Sequence, residues 1–197
     1  MAEVKRTYYE SGELESECFE LNGKRNGEYK YFYPNEQLHS ICSYIDDKKH
    51  GEYKYFYPNG QLHSICSYID DKKHGEYKTY YSNEQLKCIC SYIDDKKHGE
   101  YKTYYSNEQL QIICICSYID DRMHGEYKLY YENGQLELIN LYTNDKKNGE
   151  QKEYYKNGQL SAICSYIDNK MYGEYKEYNE LGVLVEHSIY DNGIKID

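Results

Sequence analysis

The sequence is poor in the residues that most folds use to build a core. It has no tryptophan and two prolines, and leucine, isoleucine, valine and phenylalanine together make up less than a fifth of its 197 residues. So little proline excludes a proline-rich linker or a collagen-like chain. No apolar run approaches the ~20 residues that a membrane-spanning helix needs. The segment Met1–Arg6 leads into no apolar stretch, so we expect no secretory signal and a cytoplasmic protein.

A net positive charge is also lacking, because 24 lysines and arginines stand against 34 aspartates and glutamates, which gives a formal net charge of -10. A protein that grips nucleic acid without sequence preference needs a positive field. We therefore predict no nucleic-acid partner. The same charge opposes binding to anionic membrane lipid.

Tyrosine is abundant instead, with 29 copies. Few aliphatic residues and a high net charge would by themselves indicate disorder. A tyrosine ring can bury a large apolar surface while its hydroxyl group stays hydrated. The composition therefore predicts a folded domain whose packing depends on tyrosine.

The sequence is an array of one repeated unit. Gly-Glu-Tyr-Lys, or Gly-Glu-Gln-Lys at residue 149, recurs at steps of 24 residues, with one step of 26. Such self-similarity is the mark of a repeat architecture. We predict one domain, residues 1–197, with a half unit at 4–26, full units beginning at residues 27, 51, 75, 99, 125 and 149, and a frayed last unit at 173–197.

Each unit contains two predicted strands. In the unit that starts at Gly51, residues 52–57 are rich in aromatic side chains and residues 62–69 alternate with a period of two, which is typical of strands. Asn59-Gly60 between them suits a two-residue turn with positive φ at both positions. The apolar spacing of a helix is missing. We predict an all-β fold, an elongated single-layer antiparallel β-meander of tandem hairpin repeats in a twisted or curled open sheet.

These turns also predict the strand register. A turn at Asn59-Gly60 pairs Tyr57 with Leu62, Tyr53 with Cys66 and Gly51 with Tyr68. A turn centred on Asp71-Lys72 pairs Tyr68 with Gly75 and Cys66 with Tyr77. One face then carries tyrosine, cysteine and leucine, and each glycine is covered by the ring opposite it. The opposite face carries Glu52, Lys54, Phe56, His63, Ile65, Ser67 and Ile69.

Two departures from the unit predict local differences. Three units have Asn-Glu in place of Asn-Gly, at residues 35–36, 83–84 and 107–108, and glutamate is poorly suited to positive φ. We expect a longer or bulged loop in those units. The step of 26 residues arises from a duplicated Ile-Cys pair within 110–116. Because a strand has period two, the insertion keeps each side chain on its face. We expect it to lengthen the strand or to shift its ladder.

The repeated pattern resembles the MORN repeat variant family. The pattern is Asn-Gly-x-Leu, a tyrosine six residues later, a polar turn, a glycine, an aromatic residue and a tyrosine pair. It falls here on Asn59, Gly60, Leu62, Tyr68, Gly75, Tyr77, Tyr80 and Tyr81, and recurs along nearly the whole chain. The resemblance implies antiparallel hairpin sheets, a scaffold or lipid-binding role, an antitoxin role in some bacterial members, and no shared catalytic residues.

No catalytic or metal-binding motif accompanies the repeats. The eight cysteines are interpreted as small apolar fillers beside tyrosine, because neighbours in the main row lie two strands apart, beyond disulfide reach. Two Cys-x-Cys pairs, at 88–90 and 114–116, leave zinc as an alternative, although a strand separates them. Aspartate pairs such as Asp70-Asp71 precede lysines that oppose calcium. We predict no enzyme activity, no cofactor and no metal.

What remains is a binding surface. We predict a protein-interaction scaffold, with an antitoxin-like inhibitory binder or a phospholipid-headgroup module as alternatives. The predicted partner is a protein, since tyrosine is enriched at binding hot spots. Self-association through edge strands at 7–9 and 183–185 is also expected. The predicted binding residues are Tyr29, Tyr31, Tyr33, Tyr53, Tyr55, Tyr57, Tyr77, Tyr81, Tyr101 and Tyr105.

Overall fold

The computed structural model describes residues 1–106 and 112–197. Its contacts divide the chain into two compact units, residues 1–96 and 97–197. Within each unit the strands are antiparallel, and sequence neighbours pair as a meander, so the predicted all-β hairpin repeat is confirmed. Among the described residues there is no helix of the length and hydropathy required to cross a membrane.

The strands follow one another in short hairpins. In the first unit they are β1 Ala2–Tyr8, β2 Leu14–Leu21, β3 Lys24–Phe32, β4 Leu38–Ile45, β5 Lys48–Phe56, β6 Leu62–Ile69, β7 Lys72–Tyr80 and β8 Leu86–Ile93, and β9 Lys96–Lys97 lies at the boundary. In the second unit they are β10 Gly99–Tyr104, β11 Ile112–Ile119, β12 Arg122–Met123, β13 Gly125–Tyr130, β14 Leu136–Thr143, β15 Lys146–Lys147, β16 Gly149–Tyr154, β17 Leu160–Ile167, β18 Lys170–Met171, β19 Gly173–Tyr178, β20 Leu184–Asp191 and β21 Ile194–Lys195.

The turn between β5 and β6, which we call the Asn turn, encloses three residues, 58–60, between the hydrogen-bonded pair Tyr57 and Gln61, rather than two. The Gly60 amide donates to the Tyr57 carbonyl at 2.8 Å, and the Tyr57 amide donates to the Gln61 carbonyl at 2.8 Å. Gly60 has φ 85°, whereas Asn59 does not have positive φ. A type I turn followed by a left-handed residue explains this pattern. The predicted two-residue turn is wrong.

This loop shifts the register by one residue. Phe56 pairs with Leu62, and Tyr55 pairs with Ser64, so His63 is the extra residue of a bulge. The predicted Tyr57–Leu62 pair is therefore wrong, whereas the Tyr53–Cys66 and Gly51–Tyr68 pairs are confirmed. Because a bulge turns two successive side chains to one side, the bulge moves His63 to the tyrosine face and Leu62 to the opposite one.

Glutamate does not change the loop. Glu36 takes the place of Gly60 with φ 64°, and Glu84 does so with φ 68°. The Glu36 amide donates to the Tyr33 carbonyl at 2.9 Å, as the glycine amide does in the other loop. The bulged loop expected at 35–36 and 83–84 is therefore present, but the Asn-Gly loop has the same bulge, so the expected difference between the two kinds of loop is wrong. The loop at 107–108 lies outside the described residues.

The second turn, which we call the Asp turn, is the one with positive φ at both central residues. Asp70 has φ 49° and Asp71 has φ 69°, and Ile69 pairs with Lys72. Aspartate tolerates this conformation better than lysine does, so the predicted centre at Asp71-Lys72 is wrong by one residue.

A bulge next to the Asp turn restores the main row. Cys66 still pairs with Tyr77 as predicted, but Tyr68 pairs with Lys73 and not with Gly75. Gly75 has φ 83°, and a Cβ atom added there would meet nothing within 4 Å. Backbone conformation, and not cover by a tyrosine ring, therefore explains the repeated glycine.

Among the described residues, the Ile-Cys insertion keeps the faces, and β11 is no longer than its counterpart β6. β11 has eight residues, as β6 has. Ile112 pairs with Tyr104 and Cys116 pairs with Tyr101, so Ile112 takes the place that Leu62 holds in β6.

Successive repeats are joined by hydrogen bonds from the Asp turns. The Lys49 amide donates to Oδ1 of Asp71 at 2.8 Å, and the Asp71 amide donates to the Lys49 carbonyl at 3.0 Å. The same reciprocal pair joins Lys147 and Asn169, at 2.7 and 3.0 Å. The second turn residue therefore fastens one repeat to the previous one, which fits its interpretation as structural.

Candidate functional site: the tyrosine–cysteine face

The tyrosine–cysteine face is the side of the sheet that carries the row of cysteines paired with tyrosine. Cys42 and Cys66 are 5% exposed and Cys116 is 2% exposed. Burial raises the pKa of the Cys42, Cys66 and Cys164 thiols. These thiols therefore act as packing groups and are poorly suited to nucleophilic chemistry.

One group of the predicted binding tyrosines packs against this row. The Tyr53 ring lies edge-on to Tyr68, with centroids 5.7 Å apart. Nζ of Lys49 lies 5.1 Å from the Tyr53 centroid and 5.2 Å from the Tyr68 centroid, a cation–π arrangement. Equivalent edge-on pairs hold the other members of the group, which we call the deep tyrosines: Tyr29, Tyr53, Tyr77 and Tyr101.

A second group stands at the Asn turns and links one repeat to the next. The hydroxyl of Tyr33 donates to the Phe56 carbonyl at 2.8 Å, and that of Tyr57 donates to the Tyr80 carbonyl at 2.9 Å. Tyr105 donates in the same way to Tyr130 at 3.1 Å. Tyr81, at the equivalent position, is half-buried with Nζ of Lys87 5.5 Å from its ring centroid. These hydroxyl groups stabilise the array.

The remaining two predicted residues, Tyr31 and Tyr55, belong to a ladder of rings. His39 lies 4.9 Å from Tyr31 and 4.8 Å from Tyr55, and His63 lies 4.8 Å from Tyr55, between ring centroids. We call these four half-buried residues the tyrosine–histidine ladder. Tyr33 and Tyr57 flank it, 4.6 Å from His39 and 4.7 Å from His63 respectively.

The two histidines of the ladder are neutral at neutral pH. Burial lowers the pKa of both His39 and His63. Their Nδ1 atoms are buried and have no hydrogen-bond partner among the described residues. Sequence reasoning assigned His63 to the other face because it assumed unbroken period-two alternation. A three-residue turn at Pro58-Asn59-Gly60 was the signal that could have placed it correctly.

Polar side chains occupy the corresponding places in part of the second unit. Asn140 stands in the cysteine row and is 2% exposed, and Gln151 replaces a deep tyrosine and is 6% exposed. Nζ of Lys147 donates to Oε1 of Gln151 at 2.9 Å, and Nε2 of Gln151 donates to Oε1 of Glu153 at 2.6 Å. Oδ1 of Asn140 is buried without a hydrogen-bond partner among the described residues.

The face offers little for catalysis. Within residues 1–106 and 112–197, no three or more histidine, cysteine, aspartate or glutamate side chains are grouped to hold a metal ion. The described thiols are buried. The described part of the face is a repeated surface of rings, thiols and ion pairs.

Hairpins of this kind, repeated in phase with one face of buried tyrosine and cysteine, define a tandem β-hairpin repeat protein. The family model for the MORN repeat variant matches residues 25–46, 49–70, 73–94, 97–115, 123–144, 147–168 and 171–192. The chain belongs to the MORN repeat variant family. Such repeats are typically modules for protein or membrane interaction and are generally non-enzymatic.

Comparisons with solved structures show weak similarity. The GtfA/B complex bound to UDP and GlcNAc is 12% identical over 59% of this chain and 22% of that chain, with a TM-score of 0.25. The TcdB2–TccC3 structure is 12% identical over 98% of this chain and 14% of that chain, with a TM-score of 0.25. The Photorhabdus luminescens Tc holotoxin pore is 12% identical over 90% of this chain and 13% of that chain, with a TM-score of 0.24. This chain thus spans less than a quarter of each, and scores this low indicate nothing about function. No curated protein matches.

Proposed function

We propose that this chain is a non-enzymatic scaffold that binds a partner protein through the tyrosine-rich face of its first unit. The contact is centred on the tyrosine–histidine ladder, with Tyr33 and Tyr57 beside it. The deep tyrosines lie beside the ladder on the same face, as Tyr53 lies beside Tyr55. We further propose a cytoplasmic location, with which buried, unbridged thiols are compatible because that compartment is reducing.

The observation that carries the proposal is that the repeat does not require tyrosine at the ladder positions. Tyr31 and Tyr55 stand at this position in the first two full repeats. The later repeats have Thr79, Thr103, Leu129, Glu153 and Glu177 there. The deep tyrosines and the turn tyrosines make repeated structural contacts. Tyr31 and Tyr55, in contrast, are aromatic only at one end of the array. Half-exposed tyrosine rings held in place by neighbours are suited to the centre of a protein interface.

The test is a quantitative affinity purification from native cells with the full chain as bait. The variant Tyr31→Thr/Tyr55→Thr installs the residue that two other units carry at the same position, so we expect it to fold. The matched control is Glu153→Thr/Glu177→Thr, which introduces the same residue at the equivalent positions of two repeats in the second unit. We expect the ladder variant to lose at least about tenfold of its specific partner, since tyrosine hot spots contribute ~2 kcal/mol or more.

Two results would contradict the proposal. One is equal recovery of every partner by wild type and ladder variant. The other is an equal loss in the control, which would place the contact outside the ladder. The identity of the retained protein separates a scaffold from an inhibitory binder, because a toxic enzyme in the complex indicates the latter. Recovery only with phospholipid vesicles would replace the protein partner by a lipid one.

A further inference from the structure

The opposite side of the sheet, which we call the isoleucine–lysine face, consists of four parallel rows in the first unit. Register places glutamate opposite serine and lysine opposite isoleucine in successive hairpins. From the Asp turns to the Asn turns, the first row is Ile45, Ile69 and Ile93, with Lys48 and Lys72 paired to the first two; the second is Glu28, Glu52 and Glu76 with serines and with His50 and His74; the third is Lys30, Lys54 and Lys78 with isoleucines; and the fourth is Phe32, Phe56 and Tyr80 with leucines.

The outer rows leave apolar side chains in water. Ile45 is 49% exposed, Ile69 is 44% exposed and Ile93 is 43% exposed. At the other margin, Phe56 and Leu62 form a half-buried pair. An apolar sheet surface is normally covered by a second layer, and the other face of this sheet packs its own rings and thiols instead.

The two inner rows carry opposite charges at every repeat. Glu52 and Lys54 form an ion pair at 2.5 Å, with side chains 54% and 38% exposed respectively. Glu28 and Lys30 repeat this pair at 2.5 Å, and Glu76 and Lys78 form it again. A glutamate row therefore runs directly beside a lysine row, and both remain accessible.

This order of rows is complementary to itself. We propose that the isoleucine–lysine face of the first unit binds the same face of a second copy of the chain, related by a two-fold axis parallel to the rows. That rotation reverses the order of the rows. Each glutamate row then lies over a lysine row, and each outer row of exposed isoleucines, with its paired lysines, lies over a Phe/Tyr–Leu row. The inference concerns the face opposite the proposed partner site and does not depend on it.

Charge selects this arrangement over the alternative. A two-fold axis parallel to the strands would place glutamate on glutamate and lysine on lysine. Like charges facing each other in an interface cost several kcal/mol in general, so that arrangement is excluded. The repeat spacing is identical in both copies, so complementarity at one hairpin is repeated at the next.

The area is sufficient for a specific dimer. Each repeat adds two strands at ~4.8 Å spacing, and about six residues of a strand extend ~20 Å. Three repeats therefore present roughly 600 Å² of projected face in each copy, or roughly 1,200 Å² in both, which reaches the lower limit of specific interfaces. Packing of two sheets face to face is also a common way to cover apolar rows.

The test uses two charge-reversed versions of the full chain. One is Lys54→Glu/Lys78→Glu and the other is Glu52→Lys/Glu76→Lys. Sedimentation velocity at increasing concentration should show a dimer for wild type and at least about tenfold weaker association for each variant alone. An equimolar mixture of the two should form the dimer again, because opposite rows then face each other. The matched control, Lys87→Glu/Lys156→Glu, changes the same number of charges on the other face, where these lysines lie over the rings of Tyr81 and Tyr131, and it should dimerise as wild type does.

The mixture also controls for misfolding, because an unfolded variant could not restore association. A wild-type chain that stays monomeric up to about millimolar concentration would overturn the proposal. Dimers that persist in both reversed variants, or that disappear equally in the control, would overturn it as well, because they would place the contact elsewhere. Loss of association in each variant by itself, together with its return in the mixture, supports contact through the glutamate and lysine rows of this face.

Discussion

The two units use the same hydrogen bonds but fill their tyrosine–cysteine face differently. In the first unit the row contains Cys66 paired with Tyr77, and His63 packs against the ring of Tyr55 on the same face. In the second unit Asn140 and Gln151 stand in that row and are almost fully buried. The Asp-turn bonds and the tyrosine hydroxyl bonds occur in both units. The repeat is therefore specified by its turns and backbone contacts, and its rows are free to diverge.

The largest effect on the free energy of unfolding is expected when a cysteine of the first unit's row and an asparagine of the second unit's row are each replaced by the other residue. Cys66→Asn places an amide in a site built for a thiol, and we expect the free energy of unfolding to fall by about 1–3 kcal/mol because the new polar group is buried. Asn140→Cys removes a buried oxygen without a partner among the described residues, and should stabilise the chain by about 1 kcal/mol. Urea denaturation measures both. Changes of the same sign would contradict the comparison.

The Asp turns should be the next most sensitive. Asp71→Ala removes the acceptor for the Lys49 amide and places alanine at φ 69°. We expect a loss of about 1–2 kcal/mol, in the range of a lost helix cap. Asp71→Asn keeps both properties, as Asn169 does in the second unit, and should change stability by less than about 0.5 kcal/mol. An equal loss in both variants would assign the effect to charge and not to the hydrogen bond.

A smaller effect is expected from the tyrosine hydroxyls. Tyr57→Phe and Tyr155→Phe each remove one donor to a carbonyl 23 residues away, so each should cost about 0.5–1.5 kcal/mol. The effect should be similar in both units, which is what distinguishes shared bonds from divergent rows. Tyr8→Phe, at a ring that is 59% exposed, is the control and should cost less. Thermal denaturation compares the three variants.

The effect that is smallest at neutral pH concerns buried tyrosines. Burial raises the pKa of Tyr44, Tyr118 and Tyr166 to about 12, above the ordinary value of about 10. Because the folded chain holds these protons more tightly, their stabilising contribution is complete below pH ~10 and is lost as pH rises through ~12. Absorbance at alkaline pH should show a late-titrating class of tyrosines. That class should lose one member in Tyr44→Phe and disappear in urea.

The sequence predicts the repeat, the strands and the Cys66–Tyr77 row, because period two and copy number act over the whole unit. It does not predict the faces near the turns. The bulge at His63 is set by one residue in a three-residue loop, and period-two counting cannot detect it. Contacts between neighbouring repeats form the ladder at His39 and His63 and the Asp71–Lys49 bond. The geometry of these contacts is fixed only once the turns are known. The ten predicted tyrosines thus separate into structural and variable groups only in three dimensions.

The most direct test of this account is hydrogen exchange at the backbone amides that reach the next Asp turn. Lys49, Lys73, Met123 and Lys147 each donate to the side chain of a turn residue 22 positions later. We predict that these amides exchange far more slowly than unprotected peptide amides in both units, and that Asp71→Ala selectively accelerates Lys49. Rapid exchange of these amides in the folded wild-type chain would contradict the claim that these bonds hold the repeats in register.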